Sequence, residues 1–130
     1  MIKKGDTFTV PFVVDATVYN GFISTFNDKN PLHTDAEFAH SAGFKEQVMH
    51  GNILNGFLSY FVGECLSIKN VIIHSQQIDY KHPVYLNDKL ELFAEVNEVH
   101  ESVKTIEFKF IFTSQSGKKV AVGIIQIGII

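Results

Sequence analysis

The sequence predicts an α+β domain in which an antiparallel sheet of about five strands wraps around one long central helix. A wide apolar stripe at helical period, from about Gly51 to Leu66, predicts the helix. One strand-like segment precedes this stripe and four follow it, rich in β-branched and aromatic residues or alternating in polarity. Short turns separate the last four segments, and strands that short turns join pair antiparallel.

The composition favours one globular domain that covers residues 1–130. Of the 130 residues, 45% are apolar and 19% are charged, which is enough to bury a core. The formal net charge is −3 and no basic run occurs, which argues against a nucleic-acid partner. No apolar run approaches the roughly 20 residues of a membrane span, and the N-terminus shows no secretory signal. The single cysteine, Cys65, can form no disulfide within the chain, so we expect a cytoplasmic protein.

The first strand is predicted from Thr7 to Val14, where β-branched and aromatic residues dominate. Pro11 lies inside it and cannot donate to a sheet ladder, so this strand is expected at an edge or with a bulge. Asp15 is a suitable N-cap for the helix that follows. The apolar residues of that helix fall at helical spacing: Val18, Phe22, Ile23 and Phe26.

A polar stretch from Asn27 to Ile53 separates this helix from the central one. It contains the densest group of chemically capable side chains in the sequence: Asp28, Asn30, His33, Asp35, His40 and His50. A long segment with little regular structure is uncommon in a small domain unless it is functional. Inside it we predict one short helical turn, capped by Thr34 or Asp35 and ended by Gly43. The proline that follows Asn30 restricts this residue to an extended conformation.

The central helix has few charged residues on any face, so it is predicted to be wrapped on most sides. The strand segments after it run Val71–His82, Lys89–His100, Ser102–Ser114 and Lys118–Ile130. Curling such a sheet around the helix is the economical packing, and this is the hot-dog arrangement. The last strand is apolar on both faces, although one helix covers only one face of a sheet. A second subunit is therefore expected to cover the other face or to pair with the sheet edge.

Asp28 and His33 lie five residues apart in a segment that Pro31 stiffens, so their side chains can converge. A carboxylate and an imidazole that share one water form a general acid–base pair. The spacing also fits an ordinary turn aspartate beside a surface histidine, and this alternative stays open.

His50 and Gly51 lie at the start of the central helix. The first N–H groups of a helix are unpaired and carry positive potential, which suits a carbonyl oxygen or an oxyanion. Gly51 has no side chain to keep a ligand away from its N–H. The alternative is a flexible helix entry beside a packed or capping histidine.

The remaining polar residues give weaker signals. Asp35 and His40 fit solvated loop positions, and Cys65 lies on the apolar face of the helix as a structural thiol. The histidines and aspartates show no tight metal-binding spacing, and neither a P-loop nor a dinucleotide fingerprint occurs. We therefore expect neither a metal nor a cofactor.

Three motifs resemble those of the MaoC-like family of (R)-specific enoyl-CoA hydratases. Residues 27–35, NDKNPLHTD, resemble its signature G-D-x-N-P-L-H-x-D. Residues 48–51, VMHG, and residues 80–88, YKHPVYLND, continue the similarity at the family's spacing. Asn27 stands in place of the usual glycine, which is expected to alter only the turn. Gly56 stands where close relatives often carry serine, which is expected to change substrate preference.

The resemblance implies a hot-dog homodimer, or a higher oligomer, that interconverts trans-2-enoyl and (R)-3-hydroxyacyl thioesters. The acyl carrier would be CoA or acyl carrier protein, and water would add or leave by a syn reaction. By position in the motif, Asp28 would activate the water and His33 would hold it and deliver a proton. Asn30 would orient this pair.

The resemblance also implies that the Gly51 N–H binds the thioester carbonyl, with His50 and Asp35 as further substrate-binding residues. Two other functions fit the same fold. One is an acyl-thioesterase, which would leave the D-x-N-P-L-H motif unexplained. The other is a non-catalytic acyl-thioester-binding homologue. The presence of both Asp28 and His33 favours the hydro-lyase.

Overall fold

The computed structural model describes residues 1–130 and contains one five-stranded antiparallel sheet. The strands are β1 (Thr7–Val13), β2 (Val71–Tyr80), β3 (Lys89–His100), β4 (Thr105–Ser114) and β5 (Lys119–Ile129). Their order across the sheet is β1-β3-β4-β5-β2, so β1 and β2 form the two edges. The predicted antiparallel sheet is confirmed, and Pro11 lies in an edge strand, where its missing N–H is tolerated.

The core lies on one face of the central strands, where two rows of apolar side chains face each other. The register pairs Leu92 with Phe112, Ala94 with Phe110 and Val96 with Phe108. The apolar residues that alternate along the sequence of β3 and β4 are all buried: Leu90, Leu92, Ala94, Val96, Ile106, Phe108, Phe110 and Phe112. Alternation at period two therefore predicted the face of each strand correctly.

The predicted central helix is α4 (Asn52–Tyr60), which continues through one wide π-helical turn at Phe61–Cys65. Its apolar stripe is buried against the sheet: Ile53, Leu54, Leu58, Phe61, Val62 and Leu66. The opposite face is exposed at Gly56, Ser59 and Gly63. The prediction that the helix is wrapped on most sides is therefore wrong for the single chain, because five strands cover only one face of it.

Helix α1 (Ala16–Phe26) begins at its predicted cap, since the Asp15 carboxylate accepts a hydrogen bond from the Val18 N–H at 2.9 Å. It ends at Asn27, whose backbone is left-handed with φ 58° and whose N–H donates to the Ile23 carbonyl. No helix of the chain has both the length and the apolar character needed to cross a membrane.

The polar stretch folds into two short helices, α2 (Pro31–Thr34) and α3 (Ala36–Ser41). The Asp35 carboxylate caps α3 by accepting from the Glu37 N–H at 3.0 Å, which confirms the predicted turn. Helix α2 was not predicted, because Asn30 was interpreted only as an extended residue before proline. Asn30 is extended, with φ −52° and ψ 133°, but its side chain accepts from the Leu32 N–H and so caps α2.

Two glycines provide a test of the packing. A Cβ at Gly123 would overlap the Gln77 carbonyl of the neighbouring strand and lie 2.6 Å from Phe110 Cζ, whereas a Cβ at Gly21 in α1 would meet nothing within 4 Å. We expect Gly123→Ala to lower the free energy of unfolding by about 1–3 kcal/mol, because neither the backbone nor the ring can withdraw. The control, Gly21→Ala, should raise it by about 0.5–1 kcal/mol, because alanine favours the helix. Urea unfolding at one fixed protein concentration measures both changes. If the two substitutions changed the free energy of unfolding in the same direction, this packing would be contradicted.

Candidate active site

The two ends of the polar stretch meet at one cavity of about 480 Å³. Asp28 and His33 line it from the loop after α1 and from α2, and His50 and Gly51 line it from the start of α4. A carboxylate oxygen of Asp28, a ring nitrogen of His33 and a ring nitrogen of His50 lie within 4.8 Å of one another. The cavity therefore gathers a carboxylate, two imidazoles and a helix N-terminus.

The Asp28 carboxylate is half exposed and is oriented by its own loop. Its Oδ1 accepts a hydrogen bond from the Asn30 N–H at 3.2 Å. Its Oδ2 lies 3.9 Å from His33 Nε2, which is too long for a direct hydrogen bond. A separation of this kind between two polar groups is compatible with a shared water.

The His33 imidazole is held by one hydrogen bond and presents one free nitrogen to Asp28. Its Nδ1 lies 2.7 Å from the Val48 carbonyl oxygen, which can only accept, so Nδ1 carries the proton. In the neutral ring, Nε2 is then the basic nitrogen that faces the carboxylate. The Tyr19 hydroxyl donates to the His33 carbonyl at 2.6 Å and fixes the backbone of α2 against α1.

The His50 imidazole is only 3% exposed and lies beneath His33. The two rings stack with their centroids 3.9 Å apart and their planes tilted by 29°. His50 Nε2 donates to the Asp28 carbonyl oxygen at 2.8 Å, whereas its Nδ1 is buried and has no partner within the protein. Phe22 of α1 covers the ring with its centroid 4.6 Å away.

Gly51 directly precedes α4, and its N–H makes no hydrogen bond within the chain. A Cβ at this position would lie 2.9 Å from Tyr80 Cε1, so the absence of a side chain is what allows the tyrosine ring to approach. The free donor at the helix N-terminus thus opens into the same cavity as the Asp28 and His33 side chains.

Two residues expected at the site from the motif have local contacts instead. The Asn30 side chain caps α2, and only its N–H contacts the Asp28 carboxylate. Asp35 caps α3 and does not line the cavity. His40 also lies outside the lining, where its Nε2 donates to the Lys45 carbonyl at 2.7 Å.

Sequence reasoning missed Tyr19, Phe22 and Tyr80 as neighbours of the site. Tyr19 and Phe22 lie three residues apart on α1, so one face of that helix packs against His33 and His50. This spacing was the available signal. Tyr80 ends β2 and reaches the cavity because the sheet curls around α4.

A second cavity of about 800 Å³ lies between α1 and α4 and adjoins the first at Asp28. Apolar side chains of both helices form much of its wall, including Phe22, Phe26 and Phe57. Gly56 also lines it, and a Cβ there would meet nothing within 4 Å. Its free space therefore begins beside the carboxylate and continues along α4.

Comparison with known proteins gives one family. The pattern of the MaoC-like domain matches residues 8–115. The chain is 32% identical to an (R)-specific enoyl-CoA hydratase of Aeromonas caviae over 80 residues, which are 62% of this chain and 60% of that protein. It is 34% identical to a mitochondrial 3-hydroxyacyl-[acyl-carrier-protein] dehydratase of Solanum lycopersicum over 111 residues, which are 85% of this chain and 60% of that protein. The chain thus spans less than two thirds of the length of both relatives.

The solved structures agree on the fold. The (R)-hydratase from A. caviae superposes with a TM-score of 0.90 at 24% identity, covering 99% of this chain and 98% of that one. The predicted hot-dog fold is therefore confirmed.

The partly buried hydroxyl of Tyr19 provides a test by pH. Burial raises the pKa of Tyr19 above its ordinary value of 10.0 in the folded chain. The folded protein then holds this proton more tightly than the unfolded chain, and the resulting stability is complete below pH about 10 and lost as the pH rises through the folded pKa. We expect the free energy of unfolding to fall more steeply above pH 10 for the wild type than for Tyr19→Phe, by urea unfolding at several pH values. Burial also raises the pKa of Tyr80, but this residue is present in both proteins, so its contribution cancels from the comparison. Parallel curves for the two proteins would contradict this partial burial of the Tyr19 hydroxyl.

Proposed function

Because the chain belongs to the MaoC-like domain family, we propose that it is a hydro-lyase that acts on acyl thioesters. It interconverts trans-2-enoyl and (R)-3-hydroxyacyl thioesters of CoA or acyl carrier protein by syn addition or loss of water. The observation that carries this proposal is the shared cavity, which the Asp28 carboxylate, the basic Nε2 of His33 and the free N–H of Gly51 all reach.

The Asp28 and His33 side chains form the water-activating half of the site. Both are hydrogen-bond acceptors in the states described, so one water can donate a hydrogen to each of them. During hydration the water oxygen bonds to C3 of the enoyl group and the C2=C3 π electrons move toward C2 and the thioester carbonyl. Asp28 acts as the base that activates the water by accepting a hydrogen bond from the O–H that the product keeps. His33 holds the same water, accepts its other proton on Nε2 and delivers that proton to C2, so H and OH of one water add to one face and both residues return to their starting states. Asn30 orients the pair through its N–H on the Asp28 carboxylate.

The Gly51 N–H forms the carbonyl-binding half. Addition of the water oxygen at C3, or removal of the C2 proton in the reverse direction, places enolate-like negative charge on the thioester oxygen. An unpaired N–H at the start of α4 is oriented before the reaction, and a preorganised donor of this kind contributes on the order of 3 kcal/mol at developing charge. The Tyr80 ring lies beside Gly51, where a side chain at this position would clash with it.

The second cavity is suited to the acyl chain. It begins at Asp28, where C3 of the substrate would lie, and its walls carry the aromatic side chains of α1 and α4. Gly56 leaves space on α4 that a larger residue would fill. The CoA or acyl-carrier-protein group of the bound substrate would then extend out through the first cavity, past Lys81 and His82.

A homodimer would complete this site. The ten-residue strand β2 is a sheet edge, and Ile72, Ile73 and Tyr80 are exposed on it. An edge of this length offers unpaired backbone groups to another strand. The uncovered face of α4 lies beside it, so a second copy of this chain paired along β2 would cover both. A higher oligomer, one domain over residues 1–130 and a cytoplasmic location are parts of the same proposal.

The activity is tested with a short trans-2-enoyl-CoA and purified protein, by following the absorbance of the conjugated thioester. We expect the absorbance to fall, and we expect Asp28→Asn or His33→Ala to lower kcat at least about a hundredfold, because each removes one acid–base group. Asp35→Asn is the matched control. Asparagine caps a helix as well as aspartate does, so this variant should keep its kcat and KM within about twofold.

Other outcomes of this assay identify the alternatives. Release of free thiol without hydration would indicate an acyl-thioesterase. Binding without turnover, on CoA and on acyl-carrier-protein substrates alike, would indicate a non-catalytic acyl-thioester-binding protein. Either result would overturn the hydro-lyase.

The dimer is tested by sedimentation, where we expect twice the mass of one chain. Ile73 on β2 and Ile124 on the outer face of β5 are both 37% exposed, so they form a matched pair. Ile73→Lys should give monomers with little activity, because a charge would be buried at the paired edge. Ile124→Lys should remain dimeric, and a wild-type monomer with full activity would contradict the proposal.

A further inference from the structure

His50 is one of only two polar residues of the chain that are buried, the other being Thr105. Its ring is enclosed by His33 on one side and by Phe22 on the other, with centroids 3.9 Å and 4.6 Å away. An imidazole this deeply buried gives up its hydration, which costs free energy unless its nitrogen atoms find partners. One of the two nitrogens has a partner within the protein, and one does not.

The partner that exists fixes the tautomer of His50. Its Nε2 lies 2.8 Å from the carbonyl oxygen of Asp28, and a carbonyl only accepts, so the proton is on Nε2. In the neutral ring, Nδ1 is an acceptor that is buried and unpaired. The neighbouring His33 is fixed in the same way, through Nδ1 and the carbonyl of Val48.

The hydrogen bond of His50 joins the two halves of the site. Asp28 belongs to the loop that presents the carboxylate, and His50 directly precedes Gly51, whose N–H is free. Among the hydrogen bonds of the chain, this bond alone connects residues 27–31 to residues 49–52. The adjoining residues are joined by two further hydrogen bonds, from the Val48 N–H to the Leu32 carbonyl and from His33 Nδ1 to the Val48 carbonyl. The His50 bond is the one that reaches Asp28 itself, so this imidazole helps to set the distance between the carboxylate and the Gly51 N–H.

We propose that His50 is a positioning residue for the reaction: its neutral Nε2–H form holds the Asp28 loop at a fixed distance from the start of α4, and its ring supports the face of His33. This inference rests on the proposed function, and it assigns His50 to alignment of the reacting groups.

A metal ion is the other use that a carboxylate and two imidazoles suggest. An ion held by two imidazole nitrogens lies about 2.0–2.1 Å from each and in the plane of each ring. The rings of His33 and His50 are stacked 3.9 Å apart with a tilt of only 29°, so their planes do not meet so close to the nitrogens. The geometry therefore fits positioning better than chelation.

The proposal is tested first by substitution at His50. We expect His50→Phe, which keeps an aromatic ring but has no donor, to lower kcat about 10–100-fold with KM within about threefold, because misplacement by about 1 Å costs this much. His50→Gln should recover kcat to within about fivefold, since its amide can donate from near the position of Nε2. His50→Asn is too short and should not recover it.

The matched control is His40, which also donates from Nε2 to a backbone carbonyl, at 2.7 Å, but is exposed and lies outside the cavity. His40→Phe should keep the wild-type kcat. Equal losses of kcat in His50→Gln and His50→Asn would show a merely structural role and overturn the proposal. So would wild-type kcat in His50→Phe.

A measurement on the wild-type protein keeps the proposal testable if the variants fail to fold. Long-range proton–nitrogen NMR of the histidine rings should show the His50 proton on Nε2 and none on Nδ1. A proton on Nδ1 alone would overturn the proposal. If the wild type shows no turnover of enoyl thioesters, the hydro-lyase itself fails. If the wild type turns over and His50→Phe does so equally, only the role of His50 fails.

Discussion

The packing of α4 against the concave face of the sheet is the interaction on which the rest of the structure depends. Phe61 meets Phe8 and Phe108 edge to face, with ring centroids 5.5 Å and 5.4 Å apart. Each buried phenylalanine contributes about 1.5–3 kcal/mol. This packing fixes the axis of the helix and therefore the position of its first turn. The free N–H of Gly51 has a defined location because an apolar stripe further along the helix is buried.

The loop that carries Asp28, together with α2 and α3, is attached to α4 and the sheet mainly by hydrogen bonds. Helices α2 and α3 bury only Ala39, so little apolar surface holds them. Tyr19, His33 and His50 instead each donate to a backbone carbonyl, at 2.6–2.8 Å. Hydrogen bonds are directional, whereas apolar contacts are not, so this attachment sets orientation as well as distance. Acid–base chemistry requires both.

The sequence predicted those parts of the fold that repeat along the chain. Strand β3 has its predicted bounds because polarity alternates from Lys89 to His100, and α4 lies where the apolar stripe placed it. The spacing of Tyr19 and Phe22 gives their shared face of α1, but the hydrogen bond from Tyr19 to the His33 carbonyl and the exposed face of α4 were not predictable. The first is a bond between residues 14 positions apart, which leaves no period in the sequence. The second depends on how far one sheet can wrap, which is a property of the whole molecule.

The two departures from the family signature now have different physical meanings. Asn27 adopts a left-handed backbone with φ 58°, where glycine is ordinarily favoured and asparagine is the best tolerated alternative. It therefore keeps the turn that delivers Asp28 into the cavity. Gly56 has no such backbone constraint, and its missing side chain changes only the free space beside Asp28 in the second cavity. One departure preserves the turn that precedes Asp28 and the other enlarges the second cavity, so under the proposed function divergence from the family signature acts on which acyl group fits.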